Sequence, residues 1–255
     1  VFARGVLVSS LPGASDVPLF QLQLLMEQAE PIVIAFGANP TGTSVADPLL
    51  VRWSDSDSVV EWTPAITNTA GEYSLPTGST FVAAAHARNE IIVLTDAACY
   101  TMQYVGAPRV FDFAQQSNNI SIIGPLAVTA ANGIVYWMGN EKFYVFDGKV
   151  QTLPCPLLDE VFDDINALQL TQTFAGTNEG FDEVWWQYCS EDANLPDRYV
   201  IYNYASRVWY YGTLTRTAWL DAPLKGGPLA ATTVNNLVLH ENGVDSVEGG
   251  SNVAI

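Results

Sequence analysis

"NGIVYWMGNEKFYVFDG", residues Asn132 to Gly148, is the stretch on which the fold of this chain turns. An Asn-Gly pair opens it, an apolar run follows, and a short polar turn leads into an aromatic second run closed by Asp-Gly. Asn-Gly and Asp-Gly tolerate the positive φ that tight hairpin connections need. The stretch reads as a β-hairpin bracketed by turns. It is rich in aromatics and carries no obvious catalytic group.

Working outward, the hairpin has echoes. "IIVLTDAACYTM" (Ile91 to Met102) aligns without a gap on "IVYWMGNEKFYV" (Ile134 to Val145), about 43 residues further on. "EVWWQYC" from Glu183 pairs with "RYVIYNY" from Arg198, and "NLVLHENG" from Asn236 begins another unit. Near the N-terminus, "PIVIAFG" from Pro31 pairs with "PLLVRWS" from Pro48. Spacings of roughly 40–50 residues are those of four-stranded β-propeller blades. A lone hairpin is marginal in water, whereas stacked sheets bury both faces. That burial explains near-continuous apolar strands in place of strict alternation. A β-sandwich is the competing architecture, and it would show turns every ~8–12 residues. The expectation is an all-β, β-propeller-like fold of repeated hairpins or blades with one short inserted helix. Residues 1–47 read as loop-rich N-terminal strands belonging with the propeller, and 48–255 as the propeller domain. Asn242–Gly243 marks a further turn, and Pro12, Pro18, Pro31, Pro40, Pro48, Pro64 and Pro76 punctuate the first third.

The helix is expected in "PLLDEVFDDINALQ" from Pro156. Leu157, Leu158, Val161, Phe162, Ile165 and Leu168 recur at helical spacing. Pro156 suits a helix start, and Asp159 and Glu160 suit the positive end of its dipole.

Composition narrows the function. The chain has 255 residues, 49% hydrophobic and only 15% charged, against a typical ~25%. So little surface charge suggests burial against partners. Ten basic residues face 27 acidic ones, a net charge of −17. Nucleic-acid affinity comes mainly from neutralised phosphates, so this is a poor candidate for gripping DNA or an anionic membrane. It suits a passage that DNA must traverse without sticking. No apolar run reaches the ~20 residues of a membrane span. The start shows no basic region followed by an apolar core, so no signal peptide is expected. The first residue is Val and the last stretch is "GGSNVAI", so the chain reads as processed or as part of a longer one.

Candidate chemistry is thin. Cys99, Cys155 and Cys189 are far apart and in apolar surroundings, which reads as buried free thiols. His86 and His240 lack partners at ligand spacing, so no zinc site is nominated. "DSDS" at Asp55–Ser58 starts like a calcium loop but continues with Val59 and Val60 where oxygen and glycine are needed, and reads as a solvated turn. "WSDSDSVVEW" only loosely matches the Asp-box turn of sialidase propellers. Arg198, Arg207 and Arg216 lie among Tyr and Trp, a spacing that could hold single strands, though such aromatics more often pack across strands. No catalytic, cofactor-binding or metal residue is nominated.

"VRWSDSDSVVEWTPAITNTAGEYSLPTGS" (51–79), "NEIIVLTDAACYTMQYVGAPRVF" (89–111), "NISIIGPLAVTAANGIVYWMGNEKFYVFDGKVQTLPC" (119–155), "VFDDIN" (161–166), "EVWWQYCS" (183–190) and "DRYVIYNYASRVWYYGTLTRTAWLD" (197–221) resemble, in order, the tail nozzle proteins of short-tailed bacteriophages. That family is also called tail tubular protein B or packaged-DNA stabilisation protein. The resemblance implies a structural virion protein containing a β-propeller, assembled in the host cytoplasm into a hexameric ring at the distal end of the phage tail. It implies partners: a tail adaptor protein above, tail fibre or needle proteins below, and double-stranded DNA passing the lumen. The ring would retain packaged DNA and pass it during ejection. The family has no catalytic or cofactor residues to carry over, so no enzyme is expected. The alternative reading is a propeller component of the tail that binds or hydrolyses glycans.

Overall fold

The computed structural model describes residues 21–27, 30–221, 226–241, 245–248 and 251–254, with side chains described over 32–221 and 226–241. The Asn242–Gly243 turn, Pro12 and Pro18 lie outside these. The chain divides into two compact units, Val1–Ile122 and Ile123–Ile255.

The first unit holds two four-stranded antiparallel sheets, each running up and down in sequence order. One comprises β1 (Gln21–Glu27), β2 (Glu30–Phe36), β3 (Leu50–Trp53) and β4 (Gly71–Ser74). The other comprises β5 (Phe81–His86), β6 (Ile91–Thr95), β7 (Cys99–Tyr104) and β8 (Phe111–Ser117). β2 and β3 pair with Ile34 opposite Trp53, as the Pro31 and Pro48 runs suggest. The 47/48 division expected from the sequence thus falls in the loop between neighbouring strands of one sheet.

Alternation decides which side chains meet. Ile32, Ile34, Phe36, Val51 and Trp53 share one face and pack on Phe81, Ile91, Val93, Tyr100, Met102 and Phe111 of the second sheet. Phe36 stacks on Phe81 with centroids 4.4 Å apart, and Trp53 meets the edge of Phe111 at 5.1 Å. The opposite face carries Val33, Ala35 and Leu50, buried with Ala38 and Trp62. Trp62 comes from the loop 54–70, so the chain covers this face itself. Arg52 is buried on the same side. Its guanidinium donates to Asn39 O at 3.1 Å and Trp62 O at 2.9 Å, with Glu72 at 3.6 Å. Asp55 fastens the other end of the loop, accepting from the Thr69 amide (2.9 Å) and hydroxyl (2.7 Å).

The second unit repeats the pattern. β9 (Val128–Ala131), β10 (Ile134–Met138), β11 (Phe143–Phe146) and β12 (Val150–Leu153) form one four-stranded meander. β13 (Phe174–Asn178), β14 (Glu183–Tyr188), β15 (Arg198–Asn203) and β16 (Val208–Thr213) form the next. β17 (Ala218–Leu220), β18 (Leu229–Ala231) and β19 (Leu237–Leu239) form a three-stranded sheet, and β20 (Asp245–Glu248) pairs with β21 (Ser251–Ala254). The "NLVLHENG" run is therefore the third strand of its sheet, not the opening of a unit. Asn132 and Gly133 both have positive φ (52° and 75°) and join β9 to β10 in a two-residue turn, as the Asn-Gly pair predicts.

Packing within this unit is aromatic. Tyr136 and Phe143 share one face of their sheet and meet Tyr202, Trp186 and Trp209 of the next. Phe143 lies 4.9 Å from Trp186 and 4.8 Å from Trp209, and Tyr136 lies 6.1 Å from Tyr202. Trp186 is fully buried and donates from Nε1 to Ala127 O at 3.1 Å. The other face of β13–β16 presents Trp185, which stacks on Trp219 of β17 at 4.8 Å. Gly176 makes that possible, because a Cβ there would collide with the Trp219 ring. The sheet β13–β16 is thus buried on both faces by its neighbours. Successive antiparallel meanders buried in this way, with one short helix, are an all-β, propeller-like fold.

The helix differs from its expectation. It spans only Leu158–Phe162, with Asp159 and Glu160 in its first turn and Val161 its buried residue. Leu168 is 89% exposed. Past Phe162 the backbone is captured by the turn after β14: Asn166 N donates to Cys189 O at 2.9 Å, and Ile165 bridges Ser190. Asn166 Nδ2 donates to Ala193 O at 2.8 Å. These bonds replace the i→i−4 ladder that the apolar spacing implied.

Candidate functional site

The short helix and the turn after β14 create an acidic surface. Asp159, Glu160, Asp163 and Asp164 come from the helix and its exit, and Glu191 from the turn. They line a shallow, solvent-open depression of about 410 Å³. Five carboxylates sit here without a histidine or cysteine among the lining groups. One cation stands at the margin: Arg198 Nε donates to Asp164 Oδ2 at 3.0 Å. Among the described residues no cluster of three or more His, Cys, Asp and Glu is disposed to hold a metal. What the depression can do is repel a polyanion and attract diffuse counterions. The sequence pointed to Asp159 and Glu160 only as partners of a helix dipole. Their convergence with Glu191 was hidden because Glu191 lies beyond β14 in sequence.

Two exposed apolar surfaces stand apart from it. On β16, an edge strand, Val208, Tyr210 and Tyr211 are exposed, Tyr211 by 54%. On the β17–β19 sheet the register places Leu220, Leu229 and Leu239 in one row and Ala218, Ala231 and Leu237 in the next. Leu220 is 63% and Leu237 71% exposed. The opposite face of this sheet carries Trp219 against Trp185.

The residues singled out by sequence separate widely. Arg198 is paired to Asp164, Arg207 sits in the β15–β16 turn with φ of 59°, and Arg216 is buried beside His240. They do not form one stacking platform. His86 ends β5 in the first unit, and His240 follows β19 in the second. Cys99, Cys155 and Cys189 are all buried free thiols, and burial raises each, Cys99 to about 12 and the other two to about 11. They are therefore thiols rather than thiolate nucleophiles at neutral pH. Tyr136 and Phe143 pack between sheets, whereas Trp137 stacks on its cross-strand partner Tyr144 at 5.2 Å. Among the described residues no helix is long and apolar enough to cross a membrane.

No family model matches the chain, and no curated protein matches it. Solved structures similar to this chain include the extracellular domain of a one-component system from B. thetaiotaomicron, at 9% identity and a TM-score of 0.48 over 86% of this chain and 27% of that one. Apo AztD from Citrobacter koseri is 10% identical with a TM-score of 0.44, over 87% of this chain and 60% of that one. The N-terminal domain of Nup159 is 10% identical with a TM-score of 0.33, over 97% and 82%. The chain thus spans about a quarter and three fifths of the first two structures.

Proposed function

We propose that this chain is a structural subunit of a short phage tail, a nozzle protein that lines the distal DNA channel, retains packaged DNA and passes it during ejection. The observation that carries the reading is the resemblance of segments from Val51 to Asp221, in order, to that family. Nearly all of β3 and strands β4, β6, β7, β9–β12 and β14–β16 lie in those segments, whereas β1, β2, β5, β13 and nearly all of β8 lie outside them. Two features support it. The acidic depression at Asp159, Glu160, Asp163, Asp164 and Glu191 suits a wall along which duplex must slide, because a basic lumen would hold about one phosphate per ~1.7 Å of duplex. The exposed Leu220, Leu237, Tyr210 and Tyr211 suit contacts between subunits or with adaptor and fibre proteins.

Electron microscopy of assembled particles tests the assignment. A hexameric ring at the tail tip is expected, and a chain that stays monomeric within particles sinks it. Asp159→Lys with Asp163→Lys should slow DNA ejection, and unchanged ejection removes these acids from the channel wall. A hydrolysed glycan product would favour the alternative of a glycan-active tail component.

A further inference from the structure

A partly buried polar array ties the β17–β19 sheet to its neighbour. Arg216, just before β17, is 4% exposed. Its Nε donates to Nε2 of His240, just after β19, at 2.9 Å, and its Nη1 donates to Thr215 O at 2.8 Å. A guanidinium nitrogen can only donate. His240 Nε2 is therefore the unprotonated acceptor, and the ring is neutral with its proton on Nδ1. The same ring packs on Trp219 with centroids 4.7 Å apart, and Trp219 stacks on Trp185 of β14. The His240 amide donates to Pro228 O at 2.7 Å, closing the exit of β19. One histidine thus joins the entry of β17, the exit of β19 and, through Trp219, the face of β14.

Charged groups stand around it. Arg216 faces it from the approach to β17. Glu241 follows it, and its Oε1 accepts from Asn178 Nδ2 at 3.4 Å. The same Asn178 nitrogen lies 3.4 Å from Glu183 Oε2 on β14, which also accepts from Trp185 Nε1 at 3.0 Å. Asp221, after β17, is occupied by the Thr177 hydroxyl (3.2 Å) and the Glu179 amide (2.8 Å).

We propose that His240 is an acid-released latch: neutral, it holds the β17–β19 sheet against β13–β16, and protonated, it lets that sheet open. The Arg216 bond and a proton on Nε2 are mutually exclusive, and protonation sets an imidazolium against a guanidinium. The closed latch binds no proton at Nε2, whereas the open one does. Acidification through the ordinary histidine range, around 6.5, therefore favours opening. The carboxylate pair works in the opposite sense. Burial, and then the charge of Glu241, push Glu183 above its ordinary value of 4.5. Its contribution to stability is full below 4.5 and is lost as pH rises through the raised folded value.

Hydrogen exchange followed by mass spectrometry on the full chain, corrected for intrinsic rates, reads the latch. Between pH 7.5 and 5.5, peptides covering 218–239 should lose protection by about tenfold while those covering β14 and β15 keep theirs. His240→Gln keeps an acceptor for Arg216 and cannot titrate, so it should keep its protection at both values. Unchanged protection in the unaltered chain, or equal loss in the variant, overturns the latch. Should the variant fail to fold, nuclear magnetic resonance titration of the two histidines decides. Proton uptake at His240 with no loss of protection in 218–239 overturns it as well. Particle assembly plays no part in this readout, so the nozzle assignment stands or falls separately.

Discussion

The face of β1–β4 turned away from its partner sheet and the corresponding face of β17–β19 are both apolar, yet among the described residues only the first is covered by its own chain. Val33, Ala35 and Leu50 lie under Trp62, and the buried Arg52 pins the covering loop by the Trp62 carbonyl. Among the described residues no such loop lies over Leu220 and Leu237, which stand more than half exposed. On the sides that pack, tryptophans lie over glycines: Trp53 over Gly71 of its own sheet, and Trp219 over Gly176 of the neighbouring one. A sheet face can thus be finished from within the chain or left for a partner. The difference lies in the connecting loops, not in the strands.

The contrast can be broken at the covered end first. Trp62→Ala should uncover Val33, Ala35 and Leu50 and cost about 3–5 kcal/mol in urea unfolding. A loss below ~1 kcal/mol would mean that the loop contributes little to the core. Arg52→Met should cost about 1–3 kcal/mol, because the Asn39 and Trp62 carbonyls lose their donor. At the other end, Gly176→Ala forces the Trp219 ring off β13. It should cost about 1–3 kcal/mol and lower the thermal midpoint without changing the first unit. Glu183→Gln keeps an acceptor for Trp185 and removes a raised carboxylate. It should flatten the decline in stability as pH climbs above 4.5, by about 1 kcal/mol or less, as read from melting midpoints across pH. The smallest effect belongs to the bare face. Leu220→Ser with Leu237→Ser should shift stability by no more than about 0.5 kcal/mol while weakening assembly measured by sedimentation. A large loss of stability instead would mean that this face is covered in solution.

Much of the strand content was legible because apolar runs and turn residues are local signals. The Asn132–Gly133 turn and the pairing of Glu183–Tyr188 with Arg198–Asn203 follow directly from them. Register was not legible. The gap-free alignment sets Ile91 on Ile134, but both hairpins have four-residue loops, and their closing pairs are Leu94 with Cys99 and Met138 with Phe143. The second hairpin is therefore shifted by one residue. With a period of two, that shift moves every aligned side chain to the opposite face. Apolar content is nearly uniform along these strands, so sequence similarity could not detect the slip. The helix was overread for a related reason. Ile165 and Leu168 fit its spacing, but the bonds from Asn166 to Cys189 and Ala193 come from residues far along the chain. The acidic depression and the Arg216–His240 contact are likewise long-range meetings. A single Arg in "LLVRWS" gave no hint that it would be buried, since its partners are carbonyls on two loops.

The three buried thiols give the molecule clocks of its own. Cys99 belongs to the first unit, and Cys155 and Cys189 to the second. Each is shielded and held protonated, so a thiol-specific reagent can reach it only through an opening event. The labelling rate at each cysteine therefore times the breathing of its own surroundings, and mass spectrometry of labelled peptides would separate the two units without any introduced probe.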